Sequence, residues 1–106
     1  ASDYRLKSNI RNAEEEIDFT YIIKNIQPRL YTYMDSDENV LGFVAHELQP
    51  HIPIAVTGYK DQVDENGDPV YQEVMAGNTL IYVIGALREA IKKIDLLESR
   101  VAELEG

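Results

Sequence analysis

The sequence predicts an α+β protein: a small mixed head over residues 1–77, then a long helix over residues 78–106 that forms a parallel trimeric coiled coil. Three observations predict it. The last 29 residues repeat apolar side chains at alternating spacings of three and four. Upstream, short β-rich runs flank two polar turn clusters. The 106 residues suffice for one compact domain or for a small domain with one extended element, but not for two independent cores.

Taken in order, Glu14 to Asn25 mixes acids with Ile17, Phe19, Ile22 and Ile23, a pattern that fits a short helix stopped by Gln27-Pro28. The acidic run Glu14-Glu15-Glu16 reads as a solvated face or a helix start. Arg29 to Met34 holds strong β formers and runs into Asp35-Ser36-Asp37-Glu38-Asn39, after which Val40 to Val44 reads as the partner strand of a hairpin. Ala45 to Pro50 reads as a single helical turn. Ile54–Tyr59 and Pro69–Val74 flank Asp64-Glu65-Asn66-Gly67-Asp68, and Asn-Gly is a strong hairpin signal, so residues 54–74 are expected to form a polar, projecting arm. Tyr31, Tyr33, Tyr59 and Tyr71 read as strand packing.

A soft boundary near Gly77 precedes the helix, with Asn78 as the expected N-cap. Leu80, Leu87, Ile94 and Val101 take position a of the heptad, and Val83, Ala90, Leu97 and Leu104 take position d. Lys93 and Arg100 then fall at g and meet Glu98 and Glu105 at the following e, a charge match that favours parallel, in-register strands. Each exposed pair is worth only tenths of a kcal/mol, so these pairs select orientation rather than supply stability. Ile84 and Ile91 widen the apolar stripe beyond what two strands use, which three strands, or burial against the head, would absorb. A single amphipathic helix packed on its own head is the simpler reading, but at about 1.5 Å per residue the helix reaches roughly 40 Å, more than so small a head covers.

Hydrophobic residues make up 44% of the chain and charged ones 27%, values that suit a folded domain rather than a disordered one. The net charge of −9 sits in the head, where residues 1–78 carry 14 acids against 6 bases. That sign repels phosphate backbones, and no basic stripe offsets it, so nucleic acid is not an expected partner. Without cysteine there is no disulfide, thiolate metal site or cysteine nucleophile. His46 and His51 lie off one helical face, so no metal or cofactor is expected. No apolar run approaches the roughly 18 residues of a membrane span, and the N-terminus lacks the layout of a secretory signal.

Chemistry concentrates in Ser2-Asp3-Tyr4-Arg5-Leu6-Lys7-Ser8-Asn9-Ile10. A serine five residues before a lysine is common, and by spacing alone Lys7 reads as a surface cation. The whole segment, however, resembles the opening signature of the chaperone-of-endosialidase family, also called the S74 peptidases: Ser-Asp, any residue, Arg-Leu-Lys, any residue, Asn-Ile. Pro28 to Tyr33 is similar to that family's proline-then-tyrosine strand, and Gly42-Phe43-Val44-Ala45-His46-Glu47-Leu48 resembles its Gly-Phe-Ile-Ala-Gln/His-Glu block, with Val44 in place of the usual Ile. Leu87 to Ile94 with Leu97-Glu98 looks like its C-terminal helix.

The resemblance implies a homotrimeric intramolecular chaperone at the C-terminus of a bacteriophage tail fibre or tailspike. It would assemble its upstream passenger in the host cytoplasm and then be released by autoproteolysis. Ser2 matches the nucleophile and Lys7 its base; His46, Asp3, Arg5 and Asn9 are possible supporting residues. A serine hydroxyl attacks only when a base takes its proton, and lysine serves only when neutral, a state that burial beside Leu6 and Ile10 and the like charge of Arg5 would favour. Ser2 Oγ reaches the preceding carbonyl through a five-membered ring, so the expected cut is at Ala1–Ser2, with Ser2–Asp3 as the alternative. A permanent trimerisation foot that never cuts is the competing reading.

Overall fold

In the computed structural model, which describes residues 1–106, the helix expected across Glu14–Asn25 is split. A 3-10 turn spans Ala13–Glu15, and helix α1 runs only from Phe19 to Asn25. The division lies at Asp18, whose carboxylate accepts a hydrogen bond from Tyr21 N at 3.0 Å and so caps a fresh start. Strand β1 (Arg29–Tyr31) pairs antiparallel with β2 (Val40–Gly42), placing Leu30 opposite Leu41. β1 is shorter than expected because Ser36 N already turns back to Tyr33 O at 3.0 Å, and β2 stops short because Val44 already caps the helix that follows. Helix α2 (Ala45–Leu48) is the expected single turn.

The arm is not a regular hairpin. Pro53 opens a 3-10 turn over Pro53–Ala55 where the first strand was expected to begin. Gly58 and Asp61 adopt positive φ of 58° and 63°, and these left-handed residues break the extended run. Only two bridges survive, Val56 to Val74 and Val63 to Pro69. At the tip, Asp64 Oδ1 accepts from Asn66 N at 2.8 Å and Asp68 N at 3.0 Å, an Asx turn that the Asp-Glu-Asn-Gly-Asp sequence builds unaided. Tyr59 and Tyr71 stand exposed on this arm, not packed as expected.

The terminal helix α3 spans Leu80–Glu105, preceded by a 3-10 turn over Ala76–Thr79. Asn78 is therefore not its cap. Its side-chain amide instead donates to Ile54 O at 2.8 Å, tying the helix start to the arm base. Helix α1 packs across the first half of α3: Phe19 lies on Gly85 and meets Tyr82 edge-on, with ring centroids 5.9 Å apart. Thr20 donates its backbone N–H (3.1 Å) and its hydroxyl to Glu89 of α3, so a carboxylate from one helix satisfies the free donors at the start of the other. Glu14 accepts from Lys92 Nζ at 3.1 Å, so this member of the acidic run is a clasp rather than a merely solvated face.

Leu48, Ile52, Ala55 and Val56 form the core, with Ile22, Ile26, Phe43, Val74 and Tyr82 packed around it. Only 6 of 106 residues are buried. The radius of gyration is 19.5 Å, against about 13 Å for a compact globule of this length. All eight heptad residues from Leu80 to Leu104 are exposed, so one copy leaves its widest apolar surface in water.

Candidate functional site

Ser2 and Lys7 are brought together by the residues between them. Tyr4–Leu6 form one 3-10 turn, closed by Leu6 N to Asp3 O (3.1 Å) and Lys7 N to Tyr4 O (3.0 Å). Asp3 caps that turn by accepting from Arg5 N at 2.9 Å, and the Arg5 guanidinium grips the same carboxylate through Nε at 3.0 Å and Nη2 at 2.9 Å. This fork holds the Asp3 carboxyl below its ordinary range and raises Arg5 above its own. After the turn the backbone at Lys7 is extended. Lys7 Nζ donates to Ser2 Oγ at 3.2 Å.

Of the supporting residues, Asp3 and Arg5 therefore act as builders of the turn and do not touch the Ser2 hydroxyl. Asn9 holds a left-handed φ of 54°, a conformation its short amide side chain tolerates, and its carbonyl accepts from Arg11 Nη1 at 3.1 Å. It turns the chain out of the segment. Arg11 in turn grips Glu16.

His46 is placed elsewhere. It is exposed on α2 and shares a recess with Tyr59, Lys60 and Tyr71 of the arm, a recess that neither Ser2 nor Lys7 lines. Its neighbour Glu47 is forked by Arg29 at 3.0 and 3.1 Å, which pins α2 to β1 and holds the Glu47 carboxyl below its usual range.

The expected shelter is not present in one copy. Leu6 and Ile10 are 73% and 72% exposed, and every residue from Ala1 to Ala13 faces solvent. Arg5 is paired with Asp3. The chemical parts of a hydroxyl–amine pair are thus aligned, while the desolvation that would activate them is missing from the single chain.

Residues overlooked in the sequence lie on the helices. Gly85 permits the approach of Phe19, and Glu89 completes the first turn of α1. Neither interrupts the heptad, so neither stood out.

The head of two strands and short helices opens on a serine–lysine contact. The family model described as chaperone of endosialidase, Peptidase_S74, matches residues 2–57, just over half of the chain. The chain belongs to that family. The match starts at Ser2, takes in the Ser2–Lys7 turn, the hairpin and α2, and ends at Thr57, so the arm's return and α3 stand outside it.

Proposed function

We propose that this chain is the C-terminal intramolecular chaperone of a bacteriophage tail fibre or tailspike, which trimerises, assists the folding of its upstream passenger, and then releases itself by serine–lysine autoproteolysis beside Ser2. The observation that carries the reading is the 3.2 Å contact of Lys7 Nζ with Ser2 Oγ inside the family-matched residues. In the cleaving state the proton in that contact reverses: the neutral amine accepts from the hydroxyl as Oγ attacks the Ala1 carbonyl carbon. The C–N bond then breaks, Lys7 returns the proton to the Ser2 nitrogen, and the acyl group rests on Oγ as an ester. Water opens the ester, leaving a carboxylate upstream and a free amine at Ser2. Each chain does this once.

Trimerisation is supported by the bare stripe on α3. Two apolar grooves follow it, one of about 510 Å³ past Val83, Leu87 and Ala90, the other of about 340 Å³ past Ile94, Leu97 and Val101. Burying a large apolar side chain is worth about 1.5–3 kcal/mol, a gain that packing the stripe against other copies would supply to a chain with so small a core. Three tethered heads hold three passengers in register, which removes the slowest step in forming a fibre of long-range contacts. Cleavage in the host cytoplasm during assembly then leaves the fibre kinetically trapped.

The permanent foot that never cuts draws on one observation, the exposure of Ser2 and Lys7 in a single copy. Electrophoresis of the full-length precursor separates the two readings. Self-cleavage yields a fragment from wild type and none from Ser2→Ala or Lys7→Ala; a wild-type precursor that stays intact leaves only the foot.

A further inference from the structure

The two flanks of the α3 seam are built differently. At about 3.6 residues per turn, the e residues Ile84 and Ile91 fall on one side of the a and d positions, and the g residues Ala86 and Lys93 fall on the other. Helix α1 lies beyond the g side, where Phe19 rests on Gly85 and Thr20 binds Glu89. The e side receives little cover from its own head, and Ile84 and Ile91 stay 45% and 49% exposed.

Between α1 and the g side runs an open, mainly apolar groove of about 510 Å³, lined by Ile23, Val83, Ala86, Leu87 and Ala90, with Lys93 at its rim. Two alanines on its α3 wall leave room for a larger side chain from outside.

Register selects the occupant. In parallel, in-register helices each g residue faces the next e residue of a neighbour, which pairs Lys93 with Glu98 and Arg100 with Glu105. None of these four has an ion-pair partner within its own chain, so all are free to meet across copies. One heptad earlier the same rule sets small Ala86 against large Ile91, at the groove. An apolar knob thus meets an apolar hole, and the acid two turns further along the same neighbour meets the lysine at the rim.

Resting on the trimer proposed above, we infer that Ile91 of each copy seats in the groove between α1 and α3 of the next copy, against Ala86 and Ile23. Helix α1 is then a wall of the interface, which extends beyond a stalk of three α3 helices. Because α1 belongs to the head, the contact ties each head to its neighbour's helix. The breadth of the apolar stripe is thereby used: its e flank covers the groove that the neighbour's own residues leave open.

Cross-linking tests this, since the chain has no cysteine of its own. Ile23 and Ile91 lie on opposite flanks of α3, so a short thiol cross-linker can join cysteines at these positions only between chains. In the Ser2→Ala precursor, Ile23→Cys with Ile91→Cys is expected to give a ladder ending at three linked chains, and neither single variant is expected to give it. Sedimentation of the same samples separates two failures. A three-chain species without the ladder would overturn the seating of Ile91 and leave the trimer standing, whereas a single-chain species would remove the trimer and the inference with it.

A second measurement needs no cysteine. Ile91→Ala is expected to raise the trimer's dissociation constant roughly tenfold or more, as loss of a buried large apolar side chain does. Ile23→Ala and Ile91→Ala together are expected to weaken association by less than the product of their separate effects, because both remove one contact. Effects that simply multiply, or an Ile91→Ala protein that associates like wild type, would overturn the inference.

Discussion

The ring of Phe19 rests on the bare Cα of Gly85, so closely that a Cβ there would stand 2.4 Å from the ring carbons. That contact sets how near α1 lies to α3, and with it where the head sits on the helix that the trimer is proposed to share.

Gly85→Ala therefore pits two effects against each other. Alanine gains up to about 1 kcal/mol of helix propensity, while overpacking against Phe19 costs about 1–3 kcal/mol. Net destabilisation is expected in denaturant unfolding, whereas Ala86→Gly should lose only the propensity term. A more stable Gly85→Ala protein would mean that α1 does not lie on α3 in this way.

The Glu14 carboxyl is held below its ordinary 4.5, first by the hydrogen bond from Lys92 and then by its charge. Because the folded value is depressed, the clasp's stabilisation is complete above the unfolded value and fades as pH falls through the lower folded one. Carboxyl chemical shifts followed by NMR should place the Glu14 midpoint below 4.5 in wild type and return it toward 4.5 in Lys92→Met. An unmoved midpoint would mean that the clasp is not formed in solution.

Asp3 and Arg5 build the turn that delivers Lys7 to Ser2. Loosening this turn misplaces Lys7 without removing either reacting group, so Asp3→Ala should slow cleavage roughly tenfold without abolishing it. Asn9→Gly should cleave normally, while Asn9→Val should be slowed, since a β-branched residue resists the left-handed backbone found there. Time courses on the precursor decide both; total loss in Asp3→Ala would make Asp3 a participant in the chemistry.

Lys7→Arg keeps the positive charge but removes the ability to become neutral. Cleavage should fall by about 10² or more, as far as with Lys7→Ala, because a base is required rather than a cation. Near-normal cutting by the arginine variant would assign the proton transfer elsewhere.

Much of the architecture was legible in local chemistry. The three-four spacing from Leu80 to Leu104 marked α3, the turn cluster after Met34 marked the hairpin, and Ser2 to Ile10 carried the family signature. The failures have local causes. Asp18 starts a helix inside what reads as a continuous one, and left-handed Gly58 and Asp61 undo the arm's strands although Asn66-Gly67 signals a turn correctly. Asn78 binds a carbonyl 24 residues upstream instead of capping α3, a long-range choice that composition cannot reveal. The missing shelter at Lys7 differs in kind: burial depends on what surrounds the segment, and one chain's sequence does not specify its neighbours.

Cleavage rate as a function of precursor concentration, with sedimentation of the Ser2→Ala precursor at the same concentrations, tests the central claim most directly. Cutting should track the species of three chains and die away as dilution releases single ones. An undiminished rate in samples that sediment as single chains would contradict it.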